Sequence, residues 1–313
     1  MQSKIVLVDL SHGEMLTLES DFSDFIKVLH NLNFKIEKND NKDLTKKVLE
    51  DIDVLVLGNP IDDYFSNIEI KEIVNFVRLG GSLLLVSEYG ADYLQKTNLN
   101  DIAKNFGFIF EKNLIKEQNP KNHNCSSILH IHEFPEVDFL NGLREVVIGG
   151  TCSLYLKKGA NVLLETTKLN NWSEIYNNSL EEWEKDKEQV HIIAAYAKFG
   201  QGKVIALGDI DIFCSDDNIG INSLDNQKFL QNVFSWLIEP VKKSDVNSFI
   251  LDQMGELQNG VKQIQSTINN IIETMSILER RLTNIEENPE NLEETTSAKI
   301  SRDLKSVEKE GAD

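Results

Sequence analysis

The stretch Gly80-Gly81-Ser82-Leu83-Leu84-Leu85-Val86-Ser87-Glu88-Tyr89-Gly90 sets the terms for everything around it. Ahead of it Ile70, Ile73, Val74 and Val77 fall at helical spacing, and two glycines close that helix because glycine takes the left-handed end conformation cheaply. The run that follows is too short for a helix and apolar on both faces. It predicts a buried parallel strand with helices packed on each side of the sheet. The strand breaks at Ser87-Glu88-Tyr89-Gly90, and in an open α/β sheet the carboxyl end of a central strand is where ligands and catalytic groups gather. Any binding or catalytic site is therefore expected near Glu88.

The rest of the first 240 residues repeats this logic. Strands are expected at Lys4 to Asp9, Phe34 to Ile36, Val54 to Leu57 and Gly107 to Phe110. Helices are expected between them, one of them capped near Ser20 and another opened by the Ser66/Glu69 capping box. A hairpin turning at Gly200-Gln201-Gly202 ends in Gly208-Asp209-Ile210-Asp211, and a last helix started by Asp225 stops at Pro240. The section 172–189 is polar and acidic and reads as an exposed excursion. Alternating strands and helices at this spacing define an α/β class: a doubly wound, largely parallel sheet, flavodoxin-like in kind.

Beyond Pro240 the pattern changes. Ile250, Met254, Leu257, Val261, Ile264, Ile268, Ile271, Met275, Leu278, Leu282 and Ile285 alternate steps of four and three without a break. A helix packed back on its own domain would show a broader stripe, so this strict seam predicts a coiled coil. Ile at several d positions disfavours a simple parallel homodimer, and the oligomer order stays open. The expected organisation is an α/β domain over 1–242, a coiled-coil helix over 243–286 and a charged, disordered tail over 287–313.

Composition limits the partners. With 51 acidic against 32 basic residues the formal net charge is -19, which argues against nucleic acid and anionic membrane surfaces. The cysteines (Cys125, Cys152, Cys214) are odd in number and widely spaced, as in a reducing compartment. Met1 leads straight into a strand with no charged-then-apolar leader, and no apolar run reaches membrane-spanning length. Together these predict a soluble, cytoplasmic protein whose partner is a protein, another copy of itself, or a small hydroxylated ligand.

The carboxyl ends of parallel strands share one edge, which gathers Asp9, Ser11, His12, Glu14, Asn59, Ser87 and Glu88. Asp209 and Asp211 join them if the last strand runs parallel. Such a group can hold a sugar, a cation or a peptide, or it can cap helices and close loops. Converging carboxylates need an offset, and backbone N–H groups with His12 supply one without any cofactor. Catalysis is not expected. Counted back from Gly90, the nucleophile position of a strand–turn–helix elbow is Glu88, Ser87 is one step out of phase, and no Cys–His pair lies nearby. His130 and His132, with His123 and Cys125, have zinc-ligand chemistry, but no second cluster completes a site. A hydrogen-bonded loop or strand pair is the better reading, and no metal or cofactor is expected.

Four segments carry a family resemblance. They are Ser11-His12-Gly13-Glu14-Met15-Leu16-Thr17, Gly80-Gly81, Asn98-Leu99-Asn100 with Phe106-Gly107, and Leu207-Gly208-Asp209-Ile210-Asp211-Ile212-Phe213. Over roughly residues 1–240 the chain resembles the GIFT domain shared by GldG-type, ThuA-like and intraflagellar transport protein 52 proteins. The last is nearest through the S-x-G-E-M-x-T loop. The resemblance implies a class I glutamine amidotransferase-like fold without the nucleophilic cysteine, in keeping with Glu88 at the elbow. It further implies a non-catalytic scaffold that assembles with helical partners, or, on the ThuA-like side, a carbohydrate or small-molecule site with hydrolytic capacity. After Pro240 the chain departs from intraflagellar members, which continue into longer partner-binding regions.

Overall fold

The computed structural model describes residues 3–40, 42–118, 127–167 and 171–287. It divides into two units, with the break between Phe249 and Ile250. His123, Cys125 and, but for Glu287, the expected tail 287–313 lie outside the described residues.

In chain order the first half runs β1 (Lys4–Asp9), α1 (Ser23–Asn31), β2 (Phe34–Asn39), α2 (Lys46–Leu49), β3 (Val54–Gly58), α3 (Asn67–Arg78) and β4 (Ser82–Val86). Short helices α4 (Ala91–Gln95) and α5 (Leu99–Ala103) follow, then strands β5 (Phe108–Phe110), β6 (Asn113–Glu117), β7 (Ile128–Ile131) and β8 (Val146–Gly149). The remainder is β9 (Leu154–Leu156), β10 (Ala160–Glu165), β11 (Asn171–Asn177), β12 (Glu182–Lys185), β13 (Ile192–Phe199), β14 (Gly202–Leu207), α6 (Asn226–Ile238) and α7 (Lys243–Glu287).

Nine strands form the main sheet in the order β2-β1-β3-β4-β14-β13-β9-β5, with β10 pairing β13. β2, β1, β3, β4 and β14 are mutually parallel, and β13, the first arm of the expected hairpin, runs antiparallel to β14. The doubly wound expectation therefore holds for the centre of the sheet, and the far edge is mixed. Every residue of β3 and β4 is buried. Alternate side chains go to opposite faces: Val54, Val56, Leu84 and Val86 pack under α1 and α6, while Leu55, Leu57, Leu83 and Leu85 pack under α3 and α5. The capping box forms as read, with Ser66 accepting from the Glu69 N–H and Glu69 accepting from the Ser66 N–H. At the other end of α3, Gly80 adopts a φ of 116°, open only to glycine at low cost.

Residues 172–189 are largely exposed, as expected, and are ordered within: β11 and β12 form a hairpin, and β11 pairs with β6 in a separate three-stranded sheet. Trp183 stacks edge-on with Tyr176 and Tyr89, an aromatic contact that the acidic composition of the segment obscures.

The first turns of α7 belong to the α/β unit, where Phe249 meets Phe199 edge-to-face at 5.0 Å and Asp245 pairs with Lys198 at 2.6 Å. From Ile250 on, the helix is a unit of its own. Ile250, Met254, Leu257, Val261, Ile264, Ile268, Ile271, Met275, Leu278 and Leu282 are all exposed. Among the described residues no helix is long and apolar enough to cross a membrane.

Candidate functional site

Because β14 runs parallel to β4, Asp209 and Asp211 do reach the same sheet edge as Asp9, Asn59 and Glu88. The side chains collect there as two groups, one on the β1 loop and one on the β4 and β14 loops.

The first group is built on Asp9, His12 and Glu14, all buried. The His12 ring bridges two carboxylates, with Nδ1 2.7 Å from Asp9 Oδ2 and Nε2 3.2 Å from Glu69 Oε1, and it lies tilted against the Phe65 ring at 4.1 Å. Burial alone would push the imidazole pKa down. Its hydrogen bond to Asp9 and the charges of Asp9 and Glu69 outweigh that and raise it. Burial would likewise push Asp9 up, but hydrogen bonds from His12 and Asn39, and the His12 charge, hold it below its usual value. Ser11 Oγ donates to Asp9 at 2.9 Å and Asn39 Nδ2 at 2.6 Å, so this carboxylate is well satisfied. Glu69, beyond its capping role, accepts the Leu44 N–H at 3.1 Å and so ties three loops together.

Glu14 behaves differently. Burial, and then the adjoining Asp9 carboxylate, push its pKa up to about 9, so it is a neutral acid at pH 7. One oxygen accepts the His12 N–H at 3.0 Å, while Oε1 lies 3.8 Å from His12 Nδ1 without a hydrogen-bond partner. The β1 loop lies along the end of β3: Leu16 N–H donates to Gly58 O and Met15 N–H to Asn59 O. Asn59 is wholly buried at a φ of 57°, and its amide donates to Met15 Sδ at 2.9 Å.

The second group is Glu88, Asp209 and Asp211, with ligand-capable oxygens within 4.8 Å of one another. Backbone N–H groups hold it: Tyr89 and Ile210 donate to Glu88, and Gly149, Asp211 and Ile212 donate to Asp209. Burial first, and then the Asp209 charge on Glu88 and the Asp211 charge on Asp209, raise both well above the usual carboxylate range. Asp211, half-buried, is raised as well, by burial and then by Asp216. Gly150, at a φ of 60°, would bring a Cβ to 3.0 Å from Glu88 Oε1, so only glycine lets this backbone pass so close to the carboxylate.

Sequence distance hid one neighbour. Cys152 lies beside Ser87 and Glu88, although it is far from the elbow along the chain. Its thiol is fully buried, and burial followed by the Glu88 charge holds its pKa well above normal, which leaves no reactive thiolate. Asn39, Phe65 and the second role of Glu69 were also invisible, since only the fold brings them to His12. His130 pairs with Glu145 at 2.6 Å across the β7–β8 ladder and stacks on His132, the strand-pair arrangement.

Sheet order, elbow and loop placement together define a flavodoxin-like α/β domain with an acidic carboxyl edge. Residues 5–121 match the family model of the IFT52 GIFT domain. The mmIFT52 N-terminal domain superposes with a TM-score of 0.62 at 16% identity, covering 75% of this chain and 97% of that one. A ThuA-like protein from Bacteroides uniformis gives 0.51 at 17% identity, covering 77% and 93%. At these identities the likeness is one of fold. No curated protein sequence matches the chain.

Proposed function

We propose that this protein is a non-catalytic interaction scaffold, an IFT52-type GIFT domain over 1–242 that assembles through the helix 243–286. The observation that carries the reading is the exposed seam of α7: Leu257 is 70% exposed and Val261 65%, in an apolar row that continues to Leu282. A row of that length does not stay in water on a soluble chain without a partner. The elbow supports the same reading from the other side, because Glu88 occupies the nucleophile position and the one thiol beside it is buried and protonated. Light scattering of the full chain tests it. Asp at both Ile264 and Ile271 puts two charges into the seam, and this variant should lose assembly while keeping its domain fold. An unchanged mass and unchanged partners in that variant would overturn the proposal.

A second reading has one observation in its favour, the three close carboxylates of Glu88, Asp209 and Asp211. In it this edge binds a carbohydrate or another small hydroxylated ligand, as the ThuA-like resemblance implies. A ligand-dependent rise in Tm, lost in Glu88→Ala, is its signature.

A further inference from the structure

We propose that α7 joins two further copies of this chain in a parallel, three-stranded coiled coil. This rests on the assembly reading above and names its occupant. The helix cannot stand on intrinsic propensity, for Gly255 and Gly260 sit in its interior with nothing packed against them. Its stability has to come from burying the seam.

The residue types on the seam select the number of strands. Two-stranded parallel coils want β-branched residues at a and Leu at d, and four strands want Leu at a and Ile at d. Here the central layers are Ile264 at d, Ile268 at a and Ile271 at d. Ile at both positions is the three-stranded pattern. Leu251 and Ile272 fall at e, 69% and 59% exposed, and widen the stripe beyond what a two-stranded seam covers.

Charge argues for a copy of the same chain as the partner. Although the protein as a whole carries -19, residues 250–285 hold four acidic side chains (Asp252, Glu256, Glu273, Glu279) and three basic ones (Lys262, Arg280, Arg281). A seam built for a strongly basic or acidic partner would be biased. The flanks fit parallel self-pairing: g-to-e neighbours Thr274 with Glu279 and Thr267 with Ile272 bring no like charges together.

Sedimentation equilibrium on the purified full chain tests strand number. The expected mass is three times the 35.6 kDa of one chain. Ile264→Leu with Ile271→Leu places Leu at d beside β-branched Val261 and Ile268 at a, and should shift the mass to two chains. Orientation is read from Met254→Cys: parallel helices bring its copies together and cross-link under mild oxidation, measured against the parent chain. Antiparallel helices set residue 254 against a d position at the far end of the seam, such as Leu278, and give no new cross-link, which would overturn the parallel arrangement. A parent mass of two or four chains would overturn the strand number while leaving assembly through the seam intact. A monomer at tens of micromolar would overturn the copy as occupant. The scaffold reading itself falls only if the double Asp variant also leaves every interaction of the chain unchanged.

Discussion

Glu14→Gln should stabilise the protein at neutral pH, and by an amount that depends on pH in a defined way. In the folded chain Glu14 holds its proton up to about pH 9, against an ordinary value of 4.5 when unfolded. Folding therefore takes up a proton across that window. A group with a raised folded pKa contributes fully below the unfolded value and loses its contribution as pH rises towards the folded one. At about 1.4 kcal/mol per pH unit, the loss by pH 7 is on the order of 3 kcal/mol. Gln copies the neutral acid: one atom still accepts the His12 N–H and the other can donate towards Asp9, yet nothing ionises on unfolding. The variant should be more stable than the parent by about 1–3 kcal/mol at pH 7 in urea titrations, with the gap closing near pH 4.5. His12 also has a raised pKa, present as stability below about 6.5 and lost above, but both proteins share that slope. A Gln variant that is equally or less stable at pH 7, with no dependence of the gap on pH, would show that Glu14 is ionised in the fold and that the proton assignment is wrong.

Three further outcomes follow from the same geometry. Glutaminase and esterase assays on the purified protein should show nothing above background, and turnover abolished by Ser87→Ala or Glu88→Gln would defeat the non-catalytic reading. Because backbone N–H groups hold Glu88 and Asp209 and His12 bridges Asp9 and Glu69, chelator or millimolar calcium should leave Tm unchanged; a rise of several degrees with a divalent ion or a sugar, lost in Glu88→Ala, would make the edge a ligand site. Gly58→Ala would place a Cβ 2.3 Å from that of Leu16, so denaturant titration should show a loss of about 1–3 kcal/mol that Leu16→Ala in the same chain partly relieves. An undiminished stability in Gly58→Ala alone would mean that the β1 loop does not press on β3 as described.

How far the sequence can be read depends on the range of the interaction. β1, β4 and the Ser66/Glu69 box are set by local pattern and were legible, and so was the hairpin that brings Asp209 to the edge. The separation into two carboxylate groups was not. It depends on which loop crosses which strand end: the β1 loop bonds to Gly58 and Asn59, which ties Glu14 to His12 rather than to Glu88. Cys152 was missed for the same reason, since β9 reaches β13 only after an excursion through two smaller sheets. The hairpin inside the exposed 172–189 segment was not legible in its composition, because its many charges face solvent while Tyr176 and Trp183 make the contacts.

Hydrogen exchange along α7 in the full chain is the most direct test of the claim that assembly resides in this helix. A lone helix with an open seam and two interior glycines opens and exchanges quickly, whereas a helix buried in a coiled coil is slowed by the stability of the whole assembly. The account predicts strong protection of amides 250–285 that weakens on dilution and vanishes in the chain carrying Asp at Ile264 and Ile271, with β3 and β4 protected alike in every sample. Rapid exchange over 250–285 at all concentrations, or protection that survives the two aspartates, would contradict it.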